Sequence, residues 1–126
     1  MEKKLILIVD DNKDIRYVLK KTFEKNGYKV ETATDGQDMI DKLTKIRPEL
    51  IILDVMMPGL KTHDILEKIK EFEFYDWLKI IVFSALDFSE EQIGELKNIK
   101  PVKEYTKKPF EKEKLLKLVK ETIENG

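Results

Sequence analysis

Apolar and polar positions along the chain alternate between two rhythms. Leu5-Ile6-Leu7-Ile8-Val9 is a short unbroken apolar run, the pattern of a strand covered on both faces. Asn12 follows as a helix N-cap, and Ile15, Val18, Leu19, Thr22 and Phe23 recur at helical spacing. Asn26-Gly27 predicts the helix end, because glycine takes a left-handed C-cap at least cost. Tyr28 to Ala33 predicts a half-exposed second strand. Met39, Ile40, Leu43 and Ile46 mark a second helix, stopped by Pro48. Leu50-Ile51-Ile52-Leu53 predicts a third, buried strand that ends on Asp54, and Met57-Pro58-Gly59 a turn. A helix through Ile65, Leu66 and Ile69 comes next, and Trp77 is expected to pack just ahead of a fourth strand, Lys79 to Phe83. Ser89, with Gln92 three residues on, predicts a capping box at the start of a short helix that carries Gly94 inside it. Val102 to Thr106 is a weak fifth strand, and Leu115, Leu116, Val119 and Ile123 define the last helix.

Five strands alternating with five helices imply one (βα)₅ unit, a doubly wound parallel sheet with helices on both faces. Isoleucine, leucine, valine and phenylalanine supply 41 of the 126 residues, enough for a single proper core. No repeat, low-complexity stretch or linker divides the chain, so 1–126 reads as one domain. Charged residues reach 39%, but 24 basic residues balance 25 acidic ones. A net charge of −1 gives no reason to expect a nucleic-acid or anionic-membrane partner. Cysteine is absent, which excludes disulfides, thiol chemistry and thiolate-bound metals. The apolar run at the start is too short for a signal peptide or a membrane span, and the expected location is the cytoplasm.

In an open α/β sheet, ligands bind beyond the carboxyl ends of the strands. The residues that directly follow the predicted strands are therefore the candidates for chemistry: Asp10 and Asp11, Asp54, Ser84, and Lys108. If the first and third strands are neighbours, three carboxylates converge. Unpaired, they would raise one another's pKa. A divalent cation relieves the conflict, and an all-oxygen donor set favours Mg²⁺ over zinc or copper. A cation held with open positions suits a phosphoryl group, whose remaining oxygens a lysine and a hydroxyl could take.

Taken together, Asp10-Asp11, Asp54-Val55-Met56-Met57-Pro58-Gly59, Ser84-Ala85 and Tyr105-Thr106-Lys107-Lys108-Pro109-Phe110 resemble the motifs of a bacterial response-regulator receiver domain, over essentially the whole chain. The resemblance implies a flavodoxin-like sheet with strand order 2-1-3-4-5. It implies that Asp54 is the carboxylate that takes a phosphoryl group from a phosphohistidine of a sensor histidine kinase or phosphotransfer protein. By the same resemblance Asp10, Asp11 and Asp54 hold Mg²⁺ together with the carbonyl of Met56, Lys108 and Ser84 contact the phosphoryl oxygens, and Tyr105 is the aromatic partner of the Ser84 switch. A cis bond before Pro109 is expected, a state open to X-Pro bonds and nearly closed to others. A downstream effector protein or domain would read the face of helix four, strand five and helix five, with phosphorylation-dependent homodimerisation left open. The chain departs from the family pattern at Leu60-Lys61-Thr62, where an Asp-Gly turn is common, and at Pro101-Val102, where small residues are common. Ser84 stands where threonine is more frequent, which keeps the hydroxyl.

Other readings fit the residues less well. An aspartate-nucleophile phosphohydrolase generally needs a second Asp two residues after the nucleophile, and position 56 is methionine. A flavodoxin-like cofactor carrier wants a hydroxyl- and glycine-rich phosphate loop where this chain presents two carboxylates. The expectation is thus a signalling module rather than a conventional enzyme, catalysing only its own phosphorylation and slow dephosphorylation. It is either a stand-alone regulator or the receiver of a longer one with an effector domain. A degenerate receiver that only binds partners is the alternative, and the intact acidic set argues against it. His63, the only histidine, reads as an exposed residue at a helix start.

Overall fold

The structure, a computed structural model, describes residues 3–55 and 60–125, apart from the side chains of 60–63. Strands β1 (Leu5–Val9), β2 (Lys29–Ala33), β3 (Leu50–Asp54), β4 (Ile80–Ser84) and β5 (Val102–Lys107) form one parallel sheet in the order β2-β1-β3-β4-β5. Between and after them run α1 (Lys13–Lys25), α2 (Gly36–Leu43), α3 (Leu60–Ile69), α4 (Glu90–Lys97) and α5 (Lys112–Glu124). This is the doubly wound arrangement expected from the alternation of the elements, with the flavodoxin-like strand order that the receiver-domain resemblance implies.

Alternate residues of each central strand feed two cores, as the two-residue period of a pleated strand requires. Leu7, Val9, Ile51, Leu53, Ile80 and Val82 pack with Met39, Leu43, Leu66 and Ile69 from α2 and α3. Ile6, Ile8, Leu50, Ile52, Ile81 and Phe83 pack with Leu19, Phe23, Leu115 and Val119 from α1 and α5. Burial on both faces explains why these strands read as continuous apolar runs rather than alternating ones.

The caps act as read. The Asn12 side chain accepts from the Ile15 amide at 3.0 Å, and Gly27 follows α1 at φ 90°, in the left-handed region. Ser89 and Gln92 form both halves of a capping box on α4. Asp35 caps α2 by accepting from the Asp38 amide at 2.8 Å.

Three details differ from the sequence pattern. The α2 helix closes at Leu43, short of Ile46, where the Thr44 hydroxyl donates back to the Asp41 carbonyl. Ile46 still packs against the core from the following turn. A 3₁₀ turn, Tyr75–Trp77, lies ahead of β4, and Trp77 does not pack there: it is 69% exposed, with the Arg47 guanidinium 5.7 Å from its ring centroid. Phe72, Phe74 and Tyr75 take the core positions instead. Third, β5 carries a register shift, so that Ile80 pairs with Val102 but Ile81 pairs with Glu104. The extra residue re-phases the strand and turns Tyr105 to the same core as Val102. Met57-Pro58-Gly59 and the Met56 carbonyl lie outside the described residues, as does the side chain of His63. No described helix is long and apolar enough to cross a membrane.

Candidate functional site

The carboxyl ends of β1, β3, β4 and β5 meet in an open cleft of about 520 Å³ lined by Asp11, Asn12, Asp54, Ser84, Leu86 and Lys108, among others. The geometry begins at Asp10, directly after β1. Its amide extends the sheet by donating to the Ala33 carbonyl at 3.1 Å, and its side chain is buried. Oδ1 accepts from the Asn12 amide at 2.8 Å, and Oδ2 accepts from Lys108 Nζ at 2.8 Å. The Asp10 carbonyl accepts from Arg16 Nη1, also at 2.8 Å. Asp11 beside it is exposed.

Asp54 ends β3 with its carboxylate 5% exposed and Oδ1 3.2 Å from Lys108 Nζ. One oxygen each from Asp10, Asp11 and Asp54 lie within 4.8 Å of one another. Burial, and next the Asp10 charge, push the Asp54 carboxyl above the ordinary carboxylate value, while the Lys108 ammonium pulls it partly back. Burial works against the charge on Lys108, yet its hydrogen bond to Asp10 and the charges of Asp10 and Asp54 hold it above the ordinary lysine value. Its ammonium also sits 5.1 Å from the Phe83 ring centroid. Three carboxylates facing one ammonium leave a negative surplus, and every donor in the set is oxygen. These residues fit a hard divalent cation.

Ser84 at the end of β4 is buried; its hydroxyl donates to the Val55 carbonyl at 2.6 Å and accepts from the Leu86 amide at 3.1 Å. The Leu86 carbonyl in turn accepts from the Tyr105 hydroxyl at 2.9 Å. Leu86 thus stands between Ser84 and Tyr105 through its own main chain. The Tyr105 ring stacks on Phe88 with centroids 5.3 Å apart, and Lys107 forms an ion pair with Asp87, so β5 holds the loop after β4 at several points. The Lys108 amide donates to the Ser84 carbonyl at 2.7 Å, and the Lys108-Pro109 bond is cis.

The profile described as the response regulator receiver domain matches residues 6–120. The chain belongs to that family. Response regulator MprA of Mycolicibacterium vanbaalenii is 36% identical over 111 residues, which are 88% of this chain and 46% of the relative. The receiver domain described here therefore spans a little under half the length of such curated relatives. Among solved structures, chemotaxis response regulator CheY4 of Vibrio cholerae superposes with a TM-score of 0.84 at 30% identity, covering 96% of this chain and 99% of that one. Response regulator TrrA of Thermotoga maritima, solved in complex with Mg²⁺ and BeF, gives a TM-score of 0.74 at 30% identity, covering 94% and 98%.

Of the receiver residues singled out from the sequence, Asp10, Asp11, Asp54, Ser84 and Lys108 converge on the cleft. Tyr105 lies beyond Leu86, and Met56 is outside the described residues. Two contacts of the site escape the strand-end rule, because Asn12 and Arg16 sit at the start of a helix. A compositional signal marks Arg16: it is one of two arginines in a chain with 22 lysines.

Proposed function

We propose that this receiver domain, 1–126 acting as one unit, is a phosphoacceptor in which Asp54 takes a phosphoryl group from a phosphohistidine. The observation that carries the reading is the Lys108 ammonium in contact with both the Asp54 and Asp10 carboxylates. A carboxylate oxygen of Asp54 attacks phosphorus, the phosphorus–nitrogen bond breaks, and the imidazole nitrogen keeps the bonding pair. Asp10, Asp11 and Asp54, with the Met56 carbonyl, would hold Mg²⁺, which when bound neutralises charge on the phosphoryl oxygens. Lys108, directly after β5, holds its ammonium 3.2 Å from Asp54 Oδ1, within reach of a phosphoryl group carried there, and Ser84 offers a hydroxyl from β4.

The new group adds about two negative charges. A phosphoryl oxygen that accepts from the Ser84 hydroxyl takes its donation from the Val55 carbonyl, and the shift of Oγ toward the phosphoryl group draws on the Leu86 amide that Oγ accepts from. Because the Leu86 carbonyl holds Tyr105, the same displacement reaches β5 and the face it shares with α4 and α5. The donor is a sensor histidine kinase or phosphotransfer protein in the cytoplasm. The reader of the α4-β5-α5 face is an effector, either a separate protein or a further domain of a longer regulator. Turnover is limited to the domain's own phosphorylation and slow loss of the group to water.

Intact mass after incubation with acetyl phosphate and Mg²⁺ tests this reading. One phosphoryl adduct is expected in the wild type, absent from Asp54→Ala and absent in EDTA. An unlabelled wild type, under conditions that label a control receiver, would leave a domain that only binds partners.

A further inference from the structure

We propose that Arg16 is a positioning residue that sets Asp11 for cation binding through the Asp10 main chain. The inference rests on the reading that the three aspartates bind a divalent cation. Asp10 has every polar group engaged: its amide with Ala33, Oδ1 with the Asn12 amide, Oδ2 with Lys108, and its carbonyl with Arg16. Asp11 is exposed, and among the described residues no side-chain hydrogen bond or ion pair holds its carboxylate. The backbone it hangs from is then what limits where that carboxylate can point.

The Asp10 carbonyl belongs to the planar peptide unit that ends at the Asp11 Cα. With the Asp10 amide fixed to the sheet and its carbonyl fixed to Arg16, the two ends of the Asp10 backbone are pinned, and little rotation of that peptide plane remains. The tilt of the plane decides where Asp11 begins. Arg16 reaches this carbonyl from the first turn of α1, six residues on, and its own placement is secured by a helix whose N-cap is Asn12. Arg16 is half-buried, and among the described residues it makes no ion pair. Its contact with the site runs through a carbonyl and not through a carboxylate.

Charge and position then predict opposite outcomes when Arg16 is neutralised. Removing a positive charge beside an acidic cluster would by itself tighten cation binding. Releasing the Asp10 carbonyl frees the peptide plane and should loosen it, in the manner of other supports behind metal ligands, which are worth roughly 10- to 100-fold in affinity. The test is Mg²⁺ titration of the whole chain by calorimetry and by amide chemical shifts of Asp11 and Asp54. It compares wild type, Arg16→Met, Arg16→Gln and Arg16→Lys, with metal-free melting followed in parallel. Arg16→Met keeps the stem without donors, and methionine is a good helix former. Arg16→Gln offers only a shorter donor.

The expected result is weaker Mg²⁺ binding, roughly tenfold, in whichever neutral variant is folded at the assay temperature. Recovery of most of that loss is expected in Arg16→Lys, which keeps the charge and one donor. Equal or tighter binding in the folded neutral variants, or an equal loss in Arg16→Lys, would overturn the proposal. A wild type that binds no Mg²⁺ would sink the cation reading itself, and this inference with it.

Discussion

Ser84 carries more of the site than its size suggests. Its one hydroxyl serves two main-chain groups, the Val55 carbonyl and the Leu86 amide, in a position with no exposure. Ser84→Ala leaves both without that partner at a buried place, a cost of about 1–3 kcal/mol. Urea unfolding should show that loss, while Asp54 is still expected to gain its phosphoryl group from acetyl phosphate. No labelling of a folded Ser84→Ala would mean that the hydroxyl is needed for the chemistry itself. At this scale the sequence exposes residues that directly follow a strand, since apolar runs mark where each strand stops. Asp10, Asp54, Ser84 and Lys108 are legible for that reason. The rarity of arginine marks Arg16 but not its task, which is performed on a main-chain carbonyl, and nothing in a sequence announces which carbonyl a side chain will reach.

At the level of elements, two glycines make opposite demands. Gly94 lies inside α4, and a Cβ there would meet nothing within 4 Å. Gly94→Ala should stabilise the protein by up to about 1 kcal/mol, read as a rise of a few degrees in Tm. Gly36 opens α2 directly against Ile65 of α3, and a Cβ at this position would overlap the Ile65 side chain. Gly36→Ala should therefore lower stability, on the order of 1–3 kcal/mol for an overpacked contact. Equal effects of the two substitutions in paired thermal melts would contradict this account of α2 and α3. Local pattern made the strands and most caps readable, because capping residues and apolar periods act over three or four positions. The register shift in β5 was not readable: the shift is a relation between two strands, and Val102, Glu104 and Tyr105 look like a weak alternation until β4 is laid beside them. The 3₁₀ turn at Tyr75–Trp77 was hidden for a similar reason. Among Phe72, Phe74, Tyr75 and Trp77, composition does not say which rings the core will accept.

Across the whole molecule, the cleft and Trp77 lie at opposite ends of the sheet. Trp77 precedes the first residue of β4, and Ser84 is its last, so about 16 Å of five-residue strand separates them. The single tryptophan is expected to emit as a solvent-exposed indole and to be quenched readily by acrylamide. Neither property should change when Mg²⁺ and acetyl phosphate are added. A shift in emission on phosphorylation would show that the change travels the length of the sheet.

The pairing of Asp10 with Lys108 joins positions 98 apart in the chain, and the lysine arrives directly after the least buried strand. In β5 only Val102 is buried, whereas all five residues of β4 are. During synthesis, Asp10 and Asp54 leave the ribosome well before Lys108 does, so a chain stopped short of β5 carries these carboxylates without the ammonium that pairs with them. By the same logic, an opening of β5 and α5 that left the other four strands in place would strip the cluster of that ammonium. The proposed phosphotransfer is in this way a report on whether β5 and α5 are docked.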